Sequence, residues 1–400
     1  MENTKKYCLY HTLYAVALSF CSGSILQAFL LNVGLEEGQI YTYDATINIA
    51  QVALMALSVF FSDKIRSSGR FVATNCFTLI PLCLLLALTG FGLLPTTALF
   101  LPLIAIAVLS YCFMGVNNTV CYRLPYEVID MKNYGRITAL CGMLSGAFTF
   151  GISLFYSFVL SKRQAPSTSA AFFAVATLLL LLAGATVLRM KKHPVEAPSA
   201  KRGFDLAVFK NKKTWILLFP NFFRGIATGV ISLFAVVAVS AGVIPKELAA
   251  TLVILLQLAT FVGNFFFFHL SRKLKVRQIL LFAALAMCAL LPLSLLFPSA
   301  AVFFVLYFFI RLFMIMVDNA IPVSVTEFIP YAQIGAFTSV RMMVFTLGQA
   351  AASFFLLLTE GRLPYPVILL IIAFFQLFCC LSYFFVARQS EGKPAPTLAK

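Results

Sequence analysis

The residues best placed to do chemistry are three charges embedded in otherwise uncharged apolar sequence: Arg224, Arg311 and Asp318. At bilayer depth each costs at least ~2.5–3.5 kcal/mol on insertion scales, so each is a candidate for function. At about 100° per helical residue, Asn221, Arg224, Thr228 and Ser232 share one stripe, and Tyr307, Arg311, Met314 and Asp318 share another. A guanidinium offers a planar fork that fits carboxylate or phosphate. Two such forks against one carboxylate leave a surplus positive charge that an anionic solute can neutralise. Asp318, deprived of its partner by that solute, becomes the candidate proton carrier. A static Arg–Asp–Arg cross-link between two helices uses the same residues and stays open as the alternative.

Uncharged polar residues form further stripes: Ser19, Ser22, Ser24 and Gln27; Ser145, Thr149 and Tyr156; Gln257, Thr260 and Asn264; Thr346, Gln349 and Ser353. Most suit hydrogen bonding between helices; Gln257 joins Asn221, Tyr307, Tyr111 and Asn118 as a candidate solute contact. Asp44 is expected near an outer interface, in contact with water.

The elements that must carry these residues follow from composition. Of 400 residues 61% are hydrophobic and 11% charged, against about 25% charged in soluble domains. Apolar runs of about 20 residues fit membrane helices, and lack the alternation of barrel strands. Twelve spans are expected, near 10–33, 40–61, 71–91, 98–120, 136–160, 168–189, 214–240, 247–269, 276–297, 299–321, 334–358 and 363–387. Gly and Pro punctuate the gaps.

Net charge is +16, from 30 Lys and Arg against 14 Asp and Glu. The basic residues gather on alternate loops: Lys5 and Lys6, Lys64 to Arg70, Arg123 to Arg136, Arg189 to Lys213, Arg272 to Arg277, and the tail beyond Arg388. That is the pattern of cytoplasmic loops, so both termini are expected in the cytoplasm of a multi-pass cell-membrane protein. The charge thus orients the chain, and nucleic acid is excluded as a partner. The expected organisation is an all-α protein with a six-helix bundle (1–190), a basic linker (191–213), a second six-helix bundle (214–388) and a tail (389–400).

The halves also repeat. At an offset of 200, Glu127 meets Glu327, Gly135 meets Gly335 and Thr138 meets Thr338, while Tyr111, Met114 and Asn118 meet Arg311, Met314 and Asp318. Repeat and polar stripe coincide, as a midplane cavity between pseudo-symmetric halves requires.

Together these features resemble the major facilitator superfamily, over almost the whole chain. The segment FFSDKIRSSGRF carries the family's acidic and basic loop motif in Asp63, Lys64, Arg66, Gly69 and Arg70, without its leading Gly. The corresponding HLSRKLKVRQ keeps Arg272 and Lys273 but no Asp; EVIDMKNYGR runs from Glu127 through Gly135 to Arg136, and EFIPYAQIG from Glu327 to Gly335. The resemblance implies that these residues form gates holding the cytoplasmic ends together when the protein faces outward. A looser similarity to glycoside-pentoside-hexuronide/cation symporters appears in DKIRSSGRF, PYEVIDMKNYGR and TSVRMMVFTLGQ; the last adds Arg341 to the gate. Asn48 is not an acid, so no sodium site is carried over.

The expected function is secondary active transport of a small polar solute, favoured as an organic anion, by alternating access and proton coupling. A sugar/cation symporter or a drug efflux carrier of the same fold stays open. No nucleotide-binding loop occurs, and His11, His193 and His269 are too scattered for a catalytic cluster, so an enzyme is not expected. The ten cysteines show neither disulfide nor metal spacing. The expected partners are the solute, H+ and the bilayer, with no cofactor and no metal, for a monomeric protein.

Overall fold

The structure, a computed structural model, describes residues 2–21, 23–61, 65, 67–121, 124–129, 134–162, 166–191, 212–245, 248–271, 273–274, 276–296, 299–328, 331–359, and 367, 370–371, 373–375 and 377–378. It is an all-α membrane protein, with no strand among the described residues. Among the described residues six helical segments, from Glu2–Asn32 to Phe337–Thr359, are long and apolar enough by themselves to cross a membrane.

Before residue 192 lie α1 (Glu2–Cys21), α2 (Gly23–Asn32), α3 (Glu37–Phe61), α4 (Ser68–Thr78), α5 (Ile80–Gly90), α6 (Phe100–Val120), the short α7 (Leu124–Val128), α8 (Tyr134–Lys162) and α9 (Pro166–Leu188). After residue 211 come α10 (Lys212–Ser232), α11 (Phe234–Ser240), α12 (Ala249–Leu270), α13 (Val276–Leu296), α14 (Ala300–Phe328) and α15 (Tyr331–Thr359). Three expected spans are helix pairs: α1 with α2, α4 with α5, and α10 with α11. The α4–α5 break follows from Pro81, which cannot donate within the ladder; Ser110 Oγ of α6 donates to the Thr78 carbonyl beside it (2.7 Å). The expected span 363–387 lies largely outside the described residues.

Two helices are longer than their apolar runs. Helix α1 starts at Glu2 rather than near residue 10, because its polar first turns dock on the end of α9: Asn3 Nδ2 donates to the Lys191 carbonyl (2.5 Å), Asn3 Oδ1 accepts from Lys191 N (3.1 Å), and Lys6 Nζ donates to the Arg189 carbonyl (3.1 Å). Helix α14 continues past Pro322 to Phe328; proline is tolerated inside membrane helices.

Small residues set the closest packing. Helices α10 and α15 meet through Gly225–Gly229 and Gly348–Ala352, small residues four apart on each side. A Cβ on Gly225 would lie 2.1 Å from the Phe345 carbonyl oxygen, and one on Gly348 would lie 2.1 Å from that of Phe222. Only glycine permits this approach.

The apolar core divides unequally. One buried cluster draws on both halves, joining Leu30, Tyr43 and Tyr111 to Val230, Val236 and Tyr307. Its members lie toward the end of the bundle away from Glu2 and Lys191, termed here the far end. The other two clusters each belong to one half: Tyr10, Val72 and Leu180 in the first, Leu218, Ala284 and Phe337 in the second. Both lie toward the end bearing the basic loops, the basic end. Among the described residues, the halves therefore share a core at the far end and keep separate cores at the basic end.

Candidate functional site

Arg224 occupies the middle of α10, immediately before the Gly225 contact, which seats its side chain against α15. It is 7% exposed. The guanidinium lies 4.8 Å over the Phe345 ring and forms an ion pair with Asp318 of α14. The two partners differ in exposure, with 8% of the Arg224 side chain accessible against 42% of that of Asp318. Tyr307, Arg311 and Met314, earlier on the Asp318 stripe, are buried inside the bundle. Asp318 is therefore the exposed member of a pair whose other member is buried.

Arg311 is not in that pair. Its Nε donates to Tyr307 Oη (3.1 Å) and its Nη2 to the Ile231 carbonyl (2.8 Å), with the guanidinium 5.3 Å from the centre of the Tyr307 ring. Ile231 lies where the seventh span breaks at Leu233, whose φ of −92° and ψ of 10° leave the α10 course. Ile231 and Ser232 are the last two residues of α10, just before that break. Arg311 takes the carbonyl of the first, and Gln27 Nε2 of α2 donates to that of the second (3.1 Å). The structure thus brings Arg224 and Asp318 together, while Arg311 stands about 10 Å away along α14 at 1.5 Å per residue.

The neutral candidates are distributed around these groups. Tyr111 and Tyr307 belong to the shared far-end core, Asn221 and Gln257 are buried, and Asn118 is part-buried. Thr260, Asn264 and Asn319 form a ladder between α12 and α14: Asn319 Nδ2 donates to Asn264 Oδ1 (2.8 Å), and Asn264 Nδ2 donates to the Thr260 carbonyl.

Of the gate candidates, Asp63, Lys64 and Arg272 lie outside the described residues. Gly135 and Arg136 fall in the first turn of α8, Glu327 at the end of α14 and Gly335 near the start of α15; their side chains are likewise outside the description. Glu127 is part-buried on α7, and Arg70 and Lys273 are exposed. Arg341 is 5% exposed, and among the described residues its Nε has no hydrogen-bond partner. Its Nη2 approaches Met342 Sδ (3.7 Å).

Two relationships escape sequence reasoning. Asp44, expected in contact with water, sits at the seam between α3 and α15, where Ser353 Oγ donates to Oδ2 (2.5 Å) and Asn48 Nδ2 donates to the same oxygen (3.0 Å). Partners 309 residues apart leave no local signal. Phe345 under Arg224 is the second; the GIATG segment, with glycines at positions 225 and 229, was the legible clue to that helix contact.

The sequence profile of the Major Facilitator Superfamily matches residues 9–353. No curated protein sequence matches. Among solved structures, a D-xylose–proton symporter superposes with a TM-score of 0.72 at 13% identity, covering 94% of this chain and 96% of its own. A variant of the E. coli fucose:proton symporter FucP gives 0.66 at 15%, with 96% and 98% covered. The nucleoside transporter NupG gives 0.64 at 17%, with 97% and 100% covered. At these identities the likeness establishes the fold.

Proposed function

The chain belongs to the Major Facilitator Superfamily, and from that membership and the charges of its site we propose a secondary transporter that carries a small organic anion together with a proton. One observation carries the choice of solute. The second half buries three guanidiniums, Arg224, Arg311 and Arg341, and among the described residues only Arg224 has a carboxylate partner. Buried cations without counter-ions are costly, and an anion entering the cleft relieves that cost.

The Arg224–Asp318 pair supports the coupling. An anion that takes Arg224 displaces the Asp318 carboxylate, which is already the more exposed of the two partners and then accepts a proton, so that the two travel together. Asn118, Tyr111, Asn221, Gln257 and Tyr307 supply neutral contacts; Arg311 orients the wall through Tyr307 and the Ile231 carbonyl.

Shared far-end and separate basic-end cores fit a carrier open at the basic end. The distribution of Lys and Arg assigns that end, with both termini, to the cytoplasm of the cell membrane. In the opposite state Asp63, Glu127 and Glu327 close the basic end against Lys64, Arg70, Arg136, Arg272, Lys273 and Arg341, with Gly135 and Gly335 at the turns. The protein works as a monomer.

Proteoliposome uptake of carboxylates, organic phosphates, neutral sugars, nucleosides and cationic dyes, with and without a pH gradient, tests this. Anion uptake stimulated by ΔpH is expected. Uptake of sugars alone would instead align the chain with the fucose and xylose symporters that share its fold, and uptake of nucleosides alone with NupG.

A further inference from the structure

The Asp44 seam lies apart from the Arg224–Asp318 pair and joins different helices. Asp44 is seven residues into α3, two turns from the far end, and Ser353 is six residues from the far end of α15. The bond between them crosses from one half to the other, within the region where the two halves share a core.

What surrounds the carboxyl is neutral. Its bonded partners are Ser353 and Asn48, and Asn48 Nδ2 also donates to the Asp44 carbonyl (2.9 Å). From α6 the titratable side chains on this side are Tyr111 and, further along, Cys112, whose thiol bonds the Ala50 carbonyl. Tyr41, Tyr43 and Glu37 are the others on α3, Glu37 two turns away, and α2 has none. On α15 the nearest described charge is Arg341, three turns toward the basic end. No cation among the described residues faces Asp44.

A carboxylate at bilayer depth with no cation beside it carries an uncompensated charge. A carboxylic acid there carries none, and its bonds close. Its O–H donates to Ser353 Oγ, whose own hydrogen reaches the Gln349 carbonyl at 3.2 Å. Asn48 still donates to the other lone pairs. Parting the seam admits water, which solvates the ionised form and removes its disadvantage.

We propose that Asp44 is a proton-binding site, separate from the Arg224–Asp318 pair, that holds the far end shut while it carries its proton and lets it part on ionisation. The closed state then binds the proton more tightly than the open one, so by linkage acid favours closure and alkali favours opening. This holds whatever solute is carried.

The test is the far-end distance as a function of pH. Spin labels on unnatural amino acids at positions 36 and 241, both exposed at the far end, report it in the purified full-length protein without using the native cysteines. Between about pH 5 and about pH 9, the long-distance population is expected to rise several-fold. Asp44→Asn, a fixed neutral mimic, should stay short throughout, and Ser353→Ala should open at lower pH. Asp318→Asn should keep the parent response, which separates this site from the proposed coupling pair. Asp44→Glu, which keeps an acid one methylene longer, should shift the midpoint and guards against a folding defect in the Asn variant. A pH-independent distance in the parent, an Asp44→Asn curve matching the parent, an unmoved Asp44→Glu midpoint, or loss of the response only in Asp318→Asn would each overturn the proposal.

Discussion

Arg311 of α14 and Gln27 of α2 donate to consecutive carbonyls, Ile231 and Ser232, at the break in the seventh span. One bond is made within the second half; the other reaches across from the first. The break is therefore held by a residue of the proposed site and by a contact at the far-end closure at once.

Replacing Arg311 by Ala is expected to abolish transport and also to lower stability, because it leaves the buried Ile231 carbonyl without its donor. Loss of such a partner costs about 1–3 kcal/mol, seen as a drop in Tm of the purified protein. An Arg311→Ala protein with parental Tm and parental uptake would show that neither role is real.

Gln27→Leu removes the bond from the first half and leaves Arg311 in place. Bonds of this kind in membranes contribute about 0.6 kcal/mol on average, so the far-open population should rise two- to threefold. The spin-label distances between positions 36 and 241 measure it; an unchanged distribution would assign the far-end closure to apolar packing alone.

Asp318→Asn is expected to exchange labelled solute across the membrane but to fail to concentrate it under ΔpH, because its amide cannot carry the proton. The comparison of exchange with net accumulation in the same vesicles decides this. Accumulation equal to that of the parent would move the coupling role elsewhere.

Gly225→Ala should destabilise by about 1–3 kcal/mol, as overpacking does in tight interiors, because its Cβ meets the Phe345 carbonyl at 2.1 Å. Gly151→Ala is the control: nothing lies within 4 Å of a Cβ there. Thermal denaturation of the two variants should differ clearly, and equal Tm values would contradict the close α10–α15 approach.

Neutralising Asp63 or Glu127 is expected to raise cytoplasmic accessibility of the cleft, by weakening the proposed basic-end gate. Labelling of engineered cysteines from the cytoplasmic side reports the shift, and unchanged labelling in both variants would remove these acids from the gate.

The spans were legible because lipid demands about 20 apolar residues per crossing; ends were less so where polar contacts extend a helix, as Asn3 does for α1. That Asp318 would meet an arginine followed from intramembrane charges being too costly to leave alone. Cost alone does not say which arginine. Arg311 shares the Asp318 stripe, yet the broken seventh span offers Arg311 a carbonyl, and a helix break in an apolar run has no sequence marker at Leu233. The bond of Asp44 to Ser353 was not legible because that partner arrives from the other end of the chain.

The fused far-end core gives the conformational equilibrium a thermal signature. Parting it brings Leu30, Val230, Val236 and their neighbours into contact with water, so opening the far end should carry a positive heat-capacity change. Apolar association weakens on cooling. Populations sampled in the cold are therefore displaced toward the far-open state, and transport rates measured over a range of temperatures should follow a curved rather than a straight Arrhenius line.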